Sequence, residues 1–109
     1  MDEKKAIVAF WKAAKEENEP AAVNALKRIS SETINAQDDD DYTMLITAVQ
    51  SGNPCAVRTL LASGKCDLDL RENLCGMTAR EFAEDFPKNS PIRRAFRETA
   101  TKNVRDAHV

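Results

Sequence analysis

Few residues in this chain of 109 offer chemistry: three cysteines (Cys55, Cys66, Cys75), one histidine (His108), and four consecutive carboxylates from Asp38 to Asp41. The cysteines are odd in number and none forms a C-x-x-C pair, so they read as free thiols in a reducing compartment. A tetrahedral zinc site needs a fourth ligand, and only His108 is available, near the end of the chain. Metal ligation is therefore not expected. Cys55 follows Pro54 in the first turn of a helical pattern, where unpaired N–H groups would acidify a thiol. The other reading of Cys55 is a small, partly buried helix residue. The sequence has no G-x-S-x-G, Walker loop or H-E-x-x-H. The expectation is a non-enzyme with no catalytic residues and no cofactor.

The run Asp38–Asp41 admits three readings. It is a solvated turn with one capping Asp, a contact finger for a basic partner, or a calcium loop. The third lacks the D-x-[DN]-x-[DN]-G spacing and a bidentate Glu at the right distance. Charge is unevenly spread. Residues 1–86 carry ten Lys and Arg against sixteen Asp and Glu, and residues 87–109 carry six against two. An acidic body disfavours nucleic acid as a partner, because that binding runs on phosphate neutralisation.

The elements that must position these groups are helical. Only 6% of residues are aromatic, and Gly and Pro are few, which disfavours a sheet with many turns. No apolar run approaches the roughly 20 residues needed to cross a bilayer. No long apolar h-region follows Met1–Lys5, so a secretory leader is not expected. The chain is expected to be a cytoplasmic protein without a membrane partner.

The first helical pattern runs from Lys4 to Glu17, with Ala6, Ile7, Phe10, Trp11, Ala13 and Ala14 on one broad apolar face. A second, from about Pro20 to Ile29, is expected to bury Ala22 or Ala21, Val23, Leu26 and Ile29, and to end at Ser30-Ser31-Glu32. Residues 34–41 read as an extended, exposed excursion, because four adjacent carboxylates repel. Thr43 caps or begins a helix to about Ser51, and Pro54 starts another that stops at Gly64, read as a C′ glycine. Lys65 to Leu74 is a second excursion. A helix from Thr78 to Asp85 follows, broken by Phe86-Pro87. Ser90 then caps a last helix with Pro91 at its first position and Ile92, Ala95 and Phe96 inward. Residues 99–109 read as a polar, frayed tail.

Laid over one another, these patterns repeat. Ala14, Ala48 and Ala83 are separated by 34 and 35 residues, as are Val23, Val57 and Ile92. Pro20 and Pro54 are 34 apart, and Thr43 and Thr78 are 35 apart. Ile34-Asn35-Ala36-Gln37-Asp38 is similar to a V-N-A-x-D hairpin. Thr43-Met44-Leu45-Ile46-Thr47-Ala48-Val49 is similar to T-P-L-H-x-A-A, with Met for Pro and Ile for His. Gly52 sits between the two helices, and Val57, Leu60, Leu61 and Gly64 match V-x-x-L-L-x-x-G. Gly76-Met77-Thr78-Ala79 matches most of G-x-T-P. On these residues the chain resembles the ankyrin-repeat family. The tetratricopeptide repeat shares the period but has neither the hairpin nor the G-x-T turn.

The resemblance implies an all-α solenoid of stacked helix-turn-helix units with β-hairpin excursions. It covers a single domain over residues 1–98, with approximate repeats 5–37, 38–72 and 73–98. The middle repeat is complete and the outer two are cap-like; the capped ends argue for a whole protein, with an excised domain as the open alternative. Departures from the pattern are Asp41 in place of a left-handed Gly, Arg80 in place of a buried Leu, and Phe10 and Trp11 in place of the T-P-L-H box.

Ankyrin proteins bind other proteins with hairpin tips and the exposed side of their first helices. The matching partner-binding positions here are Glu16 and Glu17 in the first repeat, with Val8 beside them. In the second they are Asp39, Asp40, Tyr42, Gln50 and Ser51. In the third they are Leu74, Met77, Asp85 and Phe86, with Cys75 beside them. The set is acidic with apolar anchors interspersed, as in an interface core. Leu74 and Met77 can equally pack within their own turn, and Phe86 in the core; Trp11 reads as core. The implied function is a non-catalytic interaction module for a basic or basic-apolar protein surface, monomeric when free, acting as inhibitor, adaptor or chaperone. The alternative is a self-associating assembly subunit, its acidic body pairing head to tail with Arg93, Arg94, Arg97, Lys102 and Arg105.

Overall fold

Helix α1 spans Glu3–Lys15 and buries Ala6, Phe10, Ala13 and Ala14, spaced at three and four residues. A left-handed residue ends it. Glu17 has φ 58°, its N–H donates to Ala14 O, and the N–H of Asn18 donates to Ala13 O at 2.8 Å, a Schellman closure. Asn18 then caps α2 (Glu19–Leu26) by accepting from the N–H of Ala21. These observations come from a computed structural model that describes residues 3–98.

The same closure recurs 35 residues later. Helix α4 (Met44–Gln50) ends at Gly52, φ 67°, where the N–H of Gly52 donates to Val49 O and that of Asn53 to Ala48 O. Asn53 caps α5 (Pro54–Ala62) through the N–H of Ala56. A third copy would fall at Pro87, which has no N–H to donate and a φ fixed negative. There the chain turns through residues 84–90, and Ser90 caps α7, residues 91–98.

Short helices complete the set. Ser30 caps the single turn α3 (Ser31–Ile34), and Thr78 and Glu81 form a reciprocal capping box on α6 (Ala79–Ala83). Seven helices and no strand are found among the described residues. The expected hairpin excursions are turns, each with one cross-chain bond between Asp38 N–H and Tyr42 O or Glu72 N–H and Met77 O. A single rung is too little to make a ladder.

Helix α5 is the centre of the packing. It rests on α4 and touches α1 and α2, which pack on each other, while α4 also meets α6. Cys55, Ala56, Val57, Thr59, Leu60 and Leu61 are all buried on it. One cluster runs from Phe10 and Ile29 through Ile46, Val49, Val57 and Leu60 to Ile92 and Phe96. Complete burial of one such aliphatic side chain contributes about 1.5–3 kcal/mol. Phe10 is fully enclosed, and Trp11 is half-buried with its ring edge-on to that of Phe10 at 5.0 Å.

Two burial expectations fail. Val23 is exposed and Ala25 is buried in its place, beside Ala22, Leu26 and Ile29, which are buried as expected. The buried residues occupy positions i, i+3, i+4 and i+7, and Val23 lies about 100° round from Ala22. Ile34 is fully buried rather than part of an exposed excursion, because a new helical turn, α3, starts after the extended Ser30 and carries it inward. The Glu3 carboxylate accepts from Ser30 N–H and from the Thr33 hydroxyl at 2.9 Å, clamping α3 onto the start of α1. Ala14, Ala48 and Ala83 are all buried.

Candidate functional site

The turn at residues 38–42 is built by its own first carboxylate. Asp38 Oδ1 accepts from the N–H groups of Asp40 and Tyr42, both at 2.9 Å. Asp41 takes φ 62° and donates its N–H to Asp38 O. Asp is among the residues that tolerate this conformation. Asp39 and Asp40 are left exposed at the apex.

A second turn, at residues 72–77, lies against the first. Glu72 accepts from the N–H groups of Leu74, Cys75 and Met77. Cys75 and Met77 are each 35 residues beyond Asp40 and Tyr42, so the two carboxylates satisfy matching amides. Glu72 starts one residue earlier relative to those amides and is one methylene longer. It is 2% exposed. Burial raises its carboxyl, but the amides of Met77, Cys75 and Leu74 outweigh that and hold it below the usual range. Gly76, φ 68°, stands 35 residues after Asp41.

The turns are joined by two bonds. Asn73 N–H donates to Asp40 O at 2.9 Å, and Gln37 Nε2 donates to both Asp41 O and Arg71 O. Arg71 in turn donates to Gly76 O and Glu81 Oε1 at 2.7 and 2.8 Å. The Thr78 backbone N–H foremost, and Arg71 with it, keep the Glu81 carboxyl low against the effect of burial.

Tyr42 stands between the turns, half-buried, with its ring 6.3 Å from that of Phe82 and its hydroxyl accepting from Gln50 Nε2 at 3.3 Å. Burial first, and then the negative charge of Glu72, Asp40, Cys75 and Asp38, push its phenol up. It stays a neutral donor and acceptor at physiological pH.

The other expected contact residues divide into two groups. Ser51 is exposed as the C-cap of α4, and the Phe86 ring lies 3.9 Å from where a Cβ on Gly52 would stand. Leu74 is 69% exposed and does not pack within its turn, whereas Met77 is half-buried. Asp85 is exposed. Glu16 and Glu17 are exposed at the end of α1, and among the described residues no hydrogen bond or ion pair ties them to Tyr42. The exposed side of α1 carries Lys4, Lys5, Lys12 and Lys15. Glu72 and Phe82 had no signal of their own in sequence; only the 35-residue offset from Gln37 and Thr47 marks them.

Burial holds two of the thiols away from the thiolate. Cys55 is 3% exposed, and burial, with Glu19 and Glu17 behind it, pushes its thiol up. Of the two readings of Cys55, the buried helix residue holds, and acidification does not, because desolvation disfavours the thiolate. Burial pushes Cys66 up to about 12. Cys75 is exposed. Among the described residues no group of three or more His, Cys, Asp and Glu could hold a metal ion, and no helix is long and apolar enough to cross a membrane. His108, Lys102 and Arg105 lie outside the described residues, with the tail at 99–109.

Set against family models, curated proteins and solved structures, the chain matches none.

Proposed function

We propose that the chain is a non-catalytic protein-binding module of ankyrin-repeat type, with units near residues 5–37, 38–72 and 73–98. It docks a basic or basic-apolar surface of another protein on the paired turns. The observation that carries this reading is the pair of adjoining turns stitched by Asn73 and Gln37. They present Asp39, Asp40 and Leu74 outward around a half-buried Tyr42. Exposed carboxylates round an aromatic anchor suit a Lys- or Arg-bearing surface with an apolar neighbour. The 35-residue recurrence of the left-handed residues, the Asn and Thr caps and the carboxylate-built turns supports the repeat assignment. Such a scaffold acts by occupying its partner, as an inhibitor, adaptor or chaperone.

The test is capture from source lysate on wild type beside a variant with Asp39, Asp40 and Tyr42 all changed to Ala, washed at low and high salt. The expected result is a protein held by wild type, released by salt and lost from the variant, with unchanged helical circular dichroism. An identical set of proteins on both baits would remove the turns from the account.

A further inference from the structure

Helices α6 and α7 enclose a groove of about 230 Å³ lined by Arg80, Ala83, Glu84, Arg93, Phe96 and Arg97. Its floor is apolar and its rim carries three guanidinium groups from two helices. Two are fixed by backbone carbonyls. Arg93 Nη1 donates to Phe86 O at 3.3 Å, and Arg97 Nη2 to Lys88 O at 3.0 Å. Neither ion pair seen among the described residues, Arg58–Glu19 or Arg71–Glu81, involves the three, and none of them is paired with Glu84. The groove therefore holds three positive charges against one negative, on side chains partly ordered before any ligand arrives. That ordering lowers the entropic cost of binding a carboxylate.

We infer that this groove receives the Asp39–Asp40 apex of a second copy of the chain. The complement is present in the same sequence: two exposed carboxylates on a turn whose backbone is already fixed by Asp38 and Asn73. Two negative charges neutralise the groove's excess of two. The apex is the longest acidic run in the chain. The C-terminal stretch 99–109 has Lys102 and Arg105 against Asp106, and so carries the wrong sign to fill the groove. A nucleic-acid strand fits poorly, since Glu84 would face its phosphates and the space takes only one or two side chains. Groove and apex are different surfaces, so the contact is head to tail and does not close on itself. It also covers the apex, so copies in contact cannot use it for another protein. The inference stands on the purified chain and does not need the partner proposed above.

Sedimentation velocity on the purified chain tests it. At low salt the weight-average sedimentation coefficient is expected to rise with concentration past the dimer value. At about 1 M salt, where screening acts over ~3 Å, it should return to that of the monomer. Two variants separate the surfaces: Asp39→Lys with Asp40→Lys, and Arg80→Glu with Arg97→Glu. All four side chains are exposed, and circular dichroism checks the fold of each. Each variant alone is expected to lose the concentration dependence, and an equimolar mixture to regain it, because an intact groove then meets an intact apex. A wild type that stays monomeric at low salt overturns the inference without use of any variant. So does association that persists in either variant alone, or a mixture that stays monomeric. None of these results bears on capture of another protein, which is read separately.

Discussion

Asn35 is the residue by which the two excursions should be tested. Its Nδ2 donates to Lys65 O at 2.9 Å, and its Oδ1 accepts from Asp67 N–H at 2.8 Å. Only this orientation of the amide satisfies both groups. Lys65, so placed, donates through Nζ to Leu26 O and Ile29 O at 3.0 and 2.9 Å, closing the C-terminal end of α2. Asn35→Ala removes two neutral hydrogen bonds, one partly buried and one exposed, worth about 1 kcal/mol each. The expected loss is about 2 kcal/mol by urea unfolding, with a melting temperature lower by roughly 10 °C. Hydrogen exchange at the Asp67 amide should quicken by about 30-fold if the clamp is what protects it. Asn35→Asp keeps the acceptor for Asp67 N–H but faces Lys65 O with a negative oxygen, so exchange at Asp67 should stay slow while global stability falls. A loss below about 0.5 kcal/mol with unchanged protection of Asp67 would refute the clamp, since each bond alone should exceed that figure.

Ile34→Ala should lower stability by about 2–5 kcal/mol in the same unfolding assay, because the side chain is fully enclosed; a surface-like effect near zero would contradict its burial. Glu17→Gly should raise stability by about 0.5–1 kcal/mol, since Glu17 holds φ 58° and Gly adopts that conformation freely; an unchanged or lower melting temperature would count against the Schellman closure. The lowered carboxyls of Glu3, Glu72 and Glu81 bind protons less readily folded than unfolded. Their contribution is present above the usual value of 4.5 and is lost as pH falls through their folded values. Glu72→Gln should therefore melt below wild type at pH 7 and approach it near pH 3; a gap that does not change with pH would remove the buried carboxylate from the acid response.

Much of the helix content is legible in the chain because it depends on local chemistry. Thr43, Asn53 and Thr78 each accept from the N–H three residues on, as short polar caps do. Gly64 ends α5 with φ 71°. The register of α2 is not legible in this way. Its two apolar faces differ by one residue, and contact with α1 and α5 chooses Ala22 and Ala25 over Val23. Ile34 looks solvated beside four aspartates, but it packs in the apolar cluster on α3, which Glu3 at the start of α1 ties down. Of the expected contact residues, Asp39, Asp40, Tyr42 and Leu74 come together because neighbouring turns are stitched. Glu16 and Glu17 share their sign but not those bonds.

The sequence alone determined the helical class, the caps and stops, and the offset of about 35 residues. These rest on groups a few residues apart, whose energies do not depend on what packs beside them. Tertiary structure alone decided which carboxylate is buried, which thiol is silenced, and which arginines gather round a groove. Glu72 is an unremarkable charged residue until its backbone folds three amides onto it, and Arg80 meets Arg93 and Arg97 only where α7 lies beside α6. Burial and charge depend on neighbours distant in sequence, and those neighbours are set by how the apolar faces pack.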